Sequence, residues 1–426
     1  SWLGCCNLLG ICMIPPRARI STEPYQTRKH RPDYGLFVLS SILLAVGLIV
    51  MYAISPALAA KGGDVSDNYF IIRQLIAVVL GFIAFFIFSK VPIKFWQKIA
   101  KPLLVSVFIL SILAVLTGGR EDLRWIQAGP LSLQPVEFVK LIVVITFAGF
   151  LAKLASEGKL TDKKSWRVPL IVVAGLIATI VFLQRDLGSA VVLLSVGLAM
   201  LFVVGMPMKY FMVSIVLIAI VGVLAVVSTP YRMQRVATFL SPTKDCSSEQ
   251  AYHACQALIA VGSGGVMGVG LGRSIQAYGY LPEAENDSIF AIFAEKFGFI
   301  GSVVLLAIYG ALLLRILTIM QRAPDRTSQL IVAGVFMWFA VQALINIAAM
   351  LGLIPIKGIT LPFISYGGTS LLFSMAALGM VFQISRYTSL RKIVYNYEPK
   401  KEQPNESDRH WRGNGRPRYT VTRRSI

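Results

Sequence analysis

Repeated apolar segments, each long enough to cross a lipid bilayer, constrain this sequence more than any other feature. A helix of roughly 20 apolar residues spans the hydrocarbon layer. Charged residues make up only 15% of the chain, whereas soluble domains have about 25%. The sequence therefore predicts an all-α polytopic membrane protein with ten transmembrane helices. The predicted spans are residues 34–54, 70–91, 102–117, 135–154, 168–183, 188–206, 210–228, 288–320, 330–353 and 365–386.

Basic residues concentrate in the N-terminal tail, the even-numbered connections between these spans, and the C-terminal tail. The positive-inside rule places both termini in the cytoplasm and the large 229–287 loop, between helices 7 and 8, outside it. We divide the chain into a cytoplasmic tail (1–33), a membrane domain (34–388) and a basic, disordered cytoplasmic tail (389–426).

The net charge of +20 is typical of loops that contact anionic lipid. Nucleic-acid binding is excluded as an interpretation, because no basic patch interleaved with aromatic residues occurs outside the tails.

The five cysteines are too few for a disulfide scaffold or a metal cluster, and none lies in a CxxC spacing. Cys246 and Cys255 fall in the loop predicted to be outside, where a bridge and two free thiols are equally compatible with the sequence. The first fourteen residues lack the positive charge of a signal peptide and are too short to span. Met13 is a candidate start residue.

The fourth predicted span begins with two charged residues, and ionisable groups inside a membrane are costly. Glu137 and Lys140 are three residues apart, so they share one helix face and can pair. The pair could simply neutralise itself, but two apolar residues would avoid the desolvation cost, and we favour a cavity-lining role. Just before this span, Arg124 and Trp125 are equally compatible with substrate binding and with membrane anchoring.

Two arginines follow the seventh span. On a helix, Arg232 and Arg235 would face one way and could bind a diphosphate by charge-assisted hydrogen bonds. From chemistry alone, the preferred interpretation is that the two arginine side chains extend toward lipid headgroups.

A glycine-rich stretch, 262–272, superficially resembles a dinucleotide-binding motif. No βαβ unit surrounds it, so we interpret it instead as a tight turn or a close approach of two backbones. The next span contains Glu295, Lys296 and Gly298, which predicts that its first turns are re-entrant or line a cavity.

Asp287 ends the loop close to Glu283 and Glu285. Clustered, partly desolvated carboxylates favour a raised pKa for one of them and hence a general base. The alternative is a helix N-cap by Asn286 or Asp287, and chemistry alone favours the cap. Lys357 and Ser365 lie in a later glycine-rich segment that predicts a polar pocket but no particular reaction.

Together, these motifs closely resemble the SEDS family of bacterial cell-wall proteins, which includes FtsW, RodA and a sporulation homologue. The matching segments occur in the family's order over about 34–387. They are Arg124-Trp125-Ile126; Gln134, Pro135 and Glu137; Gln184 with Asp186-Leu187-Gly188; Tyr231-Arg232 with Gln234-Arg235; Leu281-Pro282-Glu283-Ala284 with Asp287 and Glu295; and the run 355–370.

The resemblance implies a ten-span peptidoglycan glycosyltransferase of the bacterial cytoplasmic membrane that polymerises lipid II on the outer side and releases undecaprenyl diphosphate. It implies that Asp287 is catalytic and that the substrate-binding residues are Arg124, Trp125, Gln134, Glu137, Lys140, Arg232, Arg235, Glu283, Lys357 and Ser365. No cofactor is firmly implied, although a divalent cation (Mg²⁺ or Mn²⁺) is a candidate helper. The implied partners are a class B penicillin-binding transpeptidase and other divisome proteins, at the division septum.

The chain departs from the family pattern around the key aspartate. Glu285 and Ser288 replace the usual neighbours of Asp287, and Lys296 replaces a glutamate. Two alternative functions are a lipid II flippase, with Glu137 and Lys140 on the translocation path, and a non-catalytic scaffold that recruits a transpeptidase.

Overall fold

The computed structural model describes residues 27–62, 66–117, 126–128, 131–160, 162, 175, 177–184, 186–227, 233–234, 236, 239, 246, 249–355 and 358–389. These residues form a predominantly helical structure. The helices are α1 (Tyr34–Gly62), α2 (Tyr69–Lys90), α3 (Ile93–Thr117), α4 (Pro135–Ser156), α5 (Leu187–Val204), α6 (Met208–Val227), α7 (Glu249–Ser263), α8 (Ile289–Arg322), α9 (Arg326–Met350) and α10 (Gly368–Ile384). Two π-helical turns, Thr179–Leu183 and Gln276–Tyr280, interrupt the connections.

Seven of the described helices, α1–α5, α8 and α9, are long and apolar enough to cross a membrane. The apolar parts of α6 and α10, Met208–Leu224 and Gly368–Ile384, are shorter. Half of the predicted fifth span, 168–183, lies outside the described residues, namely 168–174 and 176. The polytopic, helical class predicted from the sequence is confirmed in this part of the chain.

Two short antiparallel ribbons accompany the helices. Strand β1 (Thr27–Lys29) pairs with β4 (Tyr387–Ser389), and β2 (Ile126–Ala128) pairs with β3 (Leu131–Leu133). The first ribbon joins the segment just before α1 to the segment just after α10. The start of α1 and the end of α10 therefore lie on the same side of the bundle.

The core lies around α4 and α9, the most deeply buried of the spanning helices. Helix α9 packs against α4, α5 and α8, while α2 packs along α10. In contrast, α6 contacts mainly α5 and exposes large apolar side chains such as Val216, Leu217 and Leu224. Such an outward apolar face is expected where lipid replaces water as the solvent.

Two segments differ from the sequence-based expectation. Helix α3 begins at Ile93 and contains Pro102, whereas we expected the span to begin at residue 102. The extra turns carry Trp96, which stacks on Phe88 of α2 with ring centroids 3.9 Å apart. The 229–287 loop also contains a helix, α7, which packs against α8 and α9.

Candidate active site

A buried ion pair forms the centre of the site between α4 and α9. Lys140 Nζ donates to Glu137 Oε1 at 2.7 Å, and both side chains are almost fully buried. Glu137 lies in the first turn of α4, where the positive end of the helix dipole also stabilises a carboxylate. The predicted pairing is confirmed, and it brings two charges into the protein core.

Gln342 of α9 completes the environment of Lys140. Its Oε1 accepts hydrogen bonds from Lys140 Nζ at 2.9 Å and from Trp338 Nε1 at 2.7 Å. Its Nε2 donates to the carbonyl oxygen of Thr360 at 3.0 Å. The lysine is thus satisfied by one anion and one neutral acceptor, as a buried cation requires.

Only one of the two carboxylate oxygens of Glu137 has a hydrogen-bond partner among the described residues. Among the residues that the structure describes, its buried Oε2 has no hydrogen-bond partner, while Oε1 binds Lys140. Buried carboxylate oxygens normally have partners. Glu137 therefore has acceptor capacity for a donor on a ligand.

Asn346 carries the polar row one helical turn further along α9. Gln342 and Asn346 are four residues apart and so share a helix face. Asn346 Nδ2 donates to the carbonyl oxygens of Asp287 and Ile359, both at 2.7 Å. This row connects the Glu137–Lys140 pair to the segment that carries Asp287.

Asp287 lies at the end of a tight turn that is fastened by its own backbone. Glu283 has a positive φ of 48°, and its carbonyl oxygen accepts from the amides of Asn286 and Ser288, each at 3.1 Å. Asp287 is buried, with 7% exposure. The N-cap position of α8 belongs to Ser288 and not to Asn286 or Asp287, so the capping alternative is wrong.

The segment between α9 and α10 closes the other side of this turn. The Tyr366 amide donates to the carbonyl oxygen of Glu285 at 2.8 Å. Ser365 is buried, and its Oγ accepts from the Leu361 amide at 2.7 Å. The Tyr366 phenol makes a hydrogen bond with the side chain of Arg73.

The predicted site residues fall into three groups. The structure brings Glu137, Lys140, Asp287 and Ser365 into one connected region. Gln134 is half-buried just before α4, and Glu283 is exposed, where its Oε2 accepts from Asn286 at 2.5 Å. The remaining predicted residues lie outside the described part of the chain: Arg124, Trp125, Arg232, Arg235 and Lys357.

Sequence reasoning missed Gln342, Asn346 and Trp338. A signal was available, because a glutamine and an asparagine four residues apart inside an apolar span are costly unless they have partners. Those partners are distant in sequence, however: Lys140 is 202 residues from Gln342. The sequence therefore indicates a polar face on α9, but it does not identify the groups that this face binds.

The glycine-rich stretch packs against a break in α8, as expected for a close backbone approach. Gly298 has φ 67° and ψ −164° inside the helix. A Cβ there would lie 2.3 Å from the Gly268 nitrogen. The broken helix recovers its hydrogen bonds from the stretch: the amides of Val269 and Gly270 donate to the carbonyl oxygens of Glu295 and Lys296, each at 3.0 Å.

Glu295, just before this break, is a structural carboxylate. Its Oε2 accepts from Ser274 Oγ at 2.5 Å, and its Oε1 accepts from the amides of Ile275 and Gln276. Both oxygens are therefore occupied where the chain enters the second π-helical turn. Glu295 holds this segment against α8.

Residues 34–390 match the FtsW/RodA/SpoVE family, described as cell cycle proteins. Stage V sporulation protein E of Bacillus subtilis is 38% identical, with 85% of this chain and 99% of the relative covered. A probable peptidoglycan glycosyltransferase FtsW of Coxiella burnetii is 37% identical, with 84% and 96% covered.

Solved structures show the same architecture. A structure that concerns coordination of polymerization and crosslinking by a peptidoglycan synthase complex superposes with a TM-score of 0.68 at 26% identity, covering 83% of this chain and 98% of the other. The rod shape determining protein RodA of Thermus thermophilus superposes with a TM-score of 0.62 at 25% identity, covering 83% and 97%.

Proposed function

The chain belongs to the FtsW/RodA/SpoVE family, and on that premise we propose that it is a peptidoglycan glycosyltransferase with Asp287 as its general base. The substrate is lipid II, and the product is a β-1,4 glycan strand on undecaprenyl diphosphate. The observation that carries this proposal is the polar row on α9, in which Gln342 binds Lys140 and Asn346 binds the Asp287 carbonyl.

In this mechanism, Asp287 removes the proton from the 4-hydroxyl of an acceptor GlcNAc. The resulting oxygen attacks the anomeric carbon of the donor sugar, whose bond to undecaprenyl diphosphate breaks with inversion of configuration, by analogy with other inverting reactions. The burial of Asp287 supports this role. A general base in a water-poor site can be tuned toward neutral pH.

Lys140 provides positive charge for the departing diphosphate, together with Arg232, Arg235 and Lys357. Glu137 accepts a hydrogen bond from Lys140 and orients it, and its second oxygen accepts from a sugar hydroxyl or amide. Arg124, Trp125, Gln134, Glu283 and Ser365 complete the proposed binding residues.

A divalent cation does not fit the described residues as an all-protein site. No group of three or more His, Cys, Asp or Glu side chains converges there. We therefore assign no step to Mg²⁺ or Mn²⁺.

The proposed topology has ten spans, both termini in the cytoplasm and the site on the outer side of the membrane. The β1–β4 ribbon supports an even number of spans, because it joins the two ends of the membrane domain. Arg326 at the start of α9 donates to the Val204 carbonyl at the end of α5, at 2.9 Å, so these two helix ends lie side by side. The Cys246–Cys255 disulfide is compatible with the oxidising outer side.

We place the protein at the division septum with a class B penicillin-binding transpeptidase and other divisome proteins. The likeness to a peptidoglycan synthase complex supports a crosslinking partner. The Tyr280–Ala284 sequence of the loop, Tyr-Leu-Pro-Glu-Ala, supports the division role over the elongation role.

The test is polymerisation of purified lipid II by the full-length protein with its transpeptidase, with glycan products resolved on a gel. Asp287→Asn keeps the size of the side chain and removes its basicity. Loss of a general base lowers rates by about 100- to 10,000-fold. We therefore expect at least a 100-fold loss.

Asp325→Asn is the matched control, because Asp325 is a true N-cap: its carboxylate accepts from the Ser328 amide at 2.9 Å at the start of α9. The control should keep its activity. Wild-type rates for Asp287→Asn would refute the general-base assignment. If wild type makes no glycan but moves labelled lipid II between the leaflets of liposomes, the flippase alternative replaces the enzyme, and if it does neither, the scaffold alternative does.

A further inference from the structure

A hydrogen bond between two side chains joins the outer helix α7 to the Asp287 turn. His253 Nε2 lies 2.7 Å from Ser288 Oγ, and Ser288 follows Asp287 directly in the chain. Ser288 is fully buried. Its hydroxyl also bonds the Pro282 carbonyl at 2.9 Å, at the other end of the same turn. The histidine therefore contacts the residue that closes the turn.

The direction of each hydrogen bond follows from counting protons. A serine hydroxyl has one proton, and a carbonyl oxygen can only accept, so the proton of Ser288 goes to Pro282. The remaining contact requires His253 Nε2 to carry a proton and to donate it to Ser288 Oγ. The turn is thus closed by a directed chain from His253 through Ser288 to Pro282.

Helix α7 is itself fastened at two places. Ala251, Ala257 and Ala260 of this helix are buried, and the helix packs against neighbouring elements, among which are α8 and α9. The disulfide joins Cys255, two residues after His253, to Cys246, which precedes the helix. A cross-link over so short a loop restricts how far the first turns of α7 can unwind.

We infer that His253 is a positioning residue for Asp287, held in place by the disulfide-braced helix α7. Asn346 fixes the carbonyl of Asp287 from the core side, and His253 fixes the next residue from the outer side. The two contacts hold the backbone at the aspartate from opposite sides. This inference rests on the proposed function of Asp287.

The experiment compares His253→Ala with His253→Gln in the lipid II polymerisation assay, using the full-length protein with its transpeptidase. The glutamine amide keeps a donor at a similar reach. Misplacement of a catalytic group by about 1 Å costs on the order of 100-fold. We expect roughly a 10- to 100-fold fall in kcat for His253→Ala with little change in KM, and recovery of most of the activity in His253→Gln.

Ser263→Ala is the matched control on the same helix. Ser263 donates to the Ala260 carbonyl within α7 and does not reach the turn by that bond, so this variant should keep wild-type activity. If His253 acts through Ser288, a His253→Ala/Ser288→Ala double variant should be no slower than Ser288→Ala alone. Additive losses would overturn the inference.

The disulfide is tested separately with the Cys246→Ser/Cys255→Ser variant and with dithiothreitol, a dithiol that reduces the bridge to two thiols. Both should lower the rate in the same direction as His253→Ala. Dithiothreitol should add nothing to the double serine variant, a comparison that excludes effects of the reductant on the partner. Unchanged rates in the double serine variant would refute the bracing role of the disulfide.

Amide hydrogen exchange across residues 281–292 gives a readout that does not need activity. Exchange should be faster in His253→Ala than in Ser263→Ala or His253→Gln. If wild type makes no glycan, the proposed function fails, while this exchange comparison still decides the positioning role. Wild-type exchange and wild-type rates in His253→Ala would overturn the inference.

Discussion

Helix α4 has a glutamate–lysine pair at each end, and the two pairs differ in almost everything except distance. At the beginning, Lys140 and Glu137 are 2.7 Å apart with side-chain exposures of 1% and 4%. Just after the end, Lys159 and Glu157 are 2.9 Å apart with exposures of 53% and 36%. The distances would suggest equal strength.

Burial makes the two pairs physically different. When an exposed pair forms, the free energy of its contact is nearly offset by the loss of hydration of the two charges. Salt also screens the attraction between them. A buried pair has already lost its hydration, so removal of one partner strands the other charge in the core. Removal of one partner of the inner pair should therefore destabilise the fold, whereas removal of one partner of the outer pair should not.

The largest effect should come from breaking the inner pair. Lys140→Ala leaves Glu137 buried and uncompensated, which costs about 3–5 kcal/mol of folding free energy. We expect a large drop in the thermal unfolding temperature of the detergent-solubilised protein, together with loss of glycan synthesis.

A paired replacement separates stability from function at this site. Glu137→Gln/Lys140→Met removes both charges with similar volumes, and such swaps are often neutral for stability. This variant should unfold near the wild-type temperature and still fail to polymerise lipid II. If it polymerises normally, the pair is only structural and its proposed role with the diphosphate is wrong.

A smaller effect should follow from removing the neutral partner of the inner pair. Gln342→Ala takes away the acceptor of Lys140 and Trp338 and the donor to Thr360. Unsatisfied buried groups cost about 1–3 kcal/mol. We expect an unfolding temperature between those of Lys140→Ala and wild type.

Gln329→Ala provides the control on the same helix, since Gln329 makes an exposed hydrogen bond with Arg326 at 2.7 Å. Its unfolding temperature should equal that of wild type. Equal losses in the two glutamine variants would contradict the distinction between buried and exposed partners.

The smallest effect should come from the outer pair. The hydrogen bond and charge of Lys159 lower the pKa of Glu157 below its ordinary value of 4.5. Because the pKa of Glu157 is lower in the folded protein than in the unfolded chain, its ionised carboxylate stabilises the fold at pH values above the unfolded pKa. This stabilisation is lost as the pH falls through the folded pKa. Glu157 in turn raises the pKa of Lys159. The stabilisation that the charged Lys159 contributes is therefore lost only as the pH rises through the folded pKa of Lys159.

Lys159→Ala should therefore leave the unfolding temperature unchanged at pH 7, in low and in high salt. The only expected difference is a slightly weaker dependence on pH in the acid range. A drop comparable to that of Gln342→Ala would show that solvent does not screen this pair.

The Glu137–Lys140 pair was predictable from the sequence, because two charges three residues apart inside an apolar run share one helix face. The start of α4 was predicted at residue 135 and is found there, since Pro135 suits the first turn of a helix. The predicted start of α3, residue 102, was wrong by about two and a half turns, because the helix begins at Ile93 and continues through Pro102. A proline inside a membrane helix is tolerated when neighbouring groups satisfy the freed carbonyl.

The contacts of the Asp287 turn were not predictable in the same way. The motif indicated that Asp287 matters, but Asn346, Tyr366 and His253 reach it from three separate parts of the chain. For Cys246 and Cys255, the sequence was equally compatible with a disulfide and with two free thiols. The structure shows the disulfide.

What the sequence alone determined is local: the apolar spans, the i,i+3 charge pair, and the glycines that permit a close approach of two backbones. These features depend on helix period, on side-chain size and on the cost of charge in an apolar medium, all of which act over a few residues. Only the tertiary structure decided which polar groups meet. Gln342 binds Lys140, and His253 binds Ser288, because packing brings distant segments together, and no local pattern encodes which buried donor will find which acceptor.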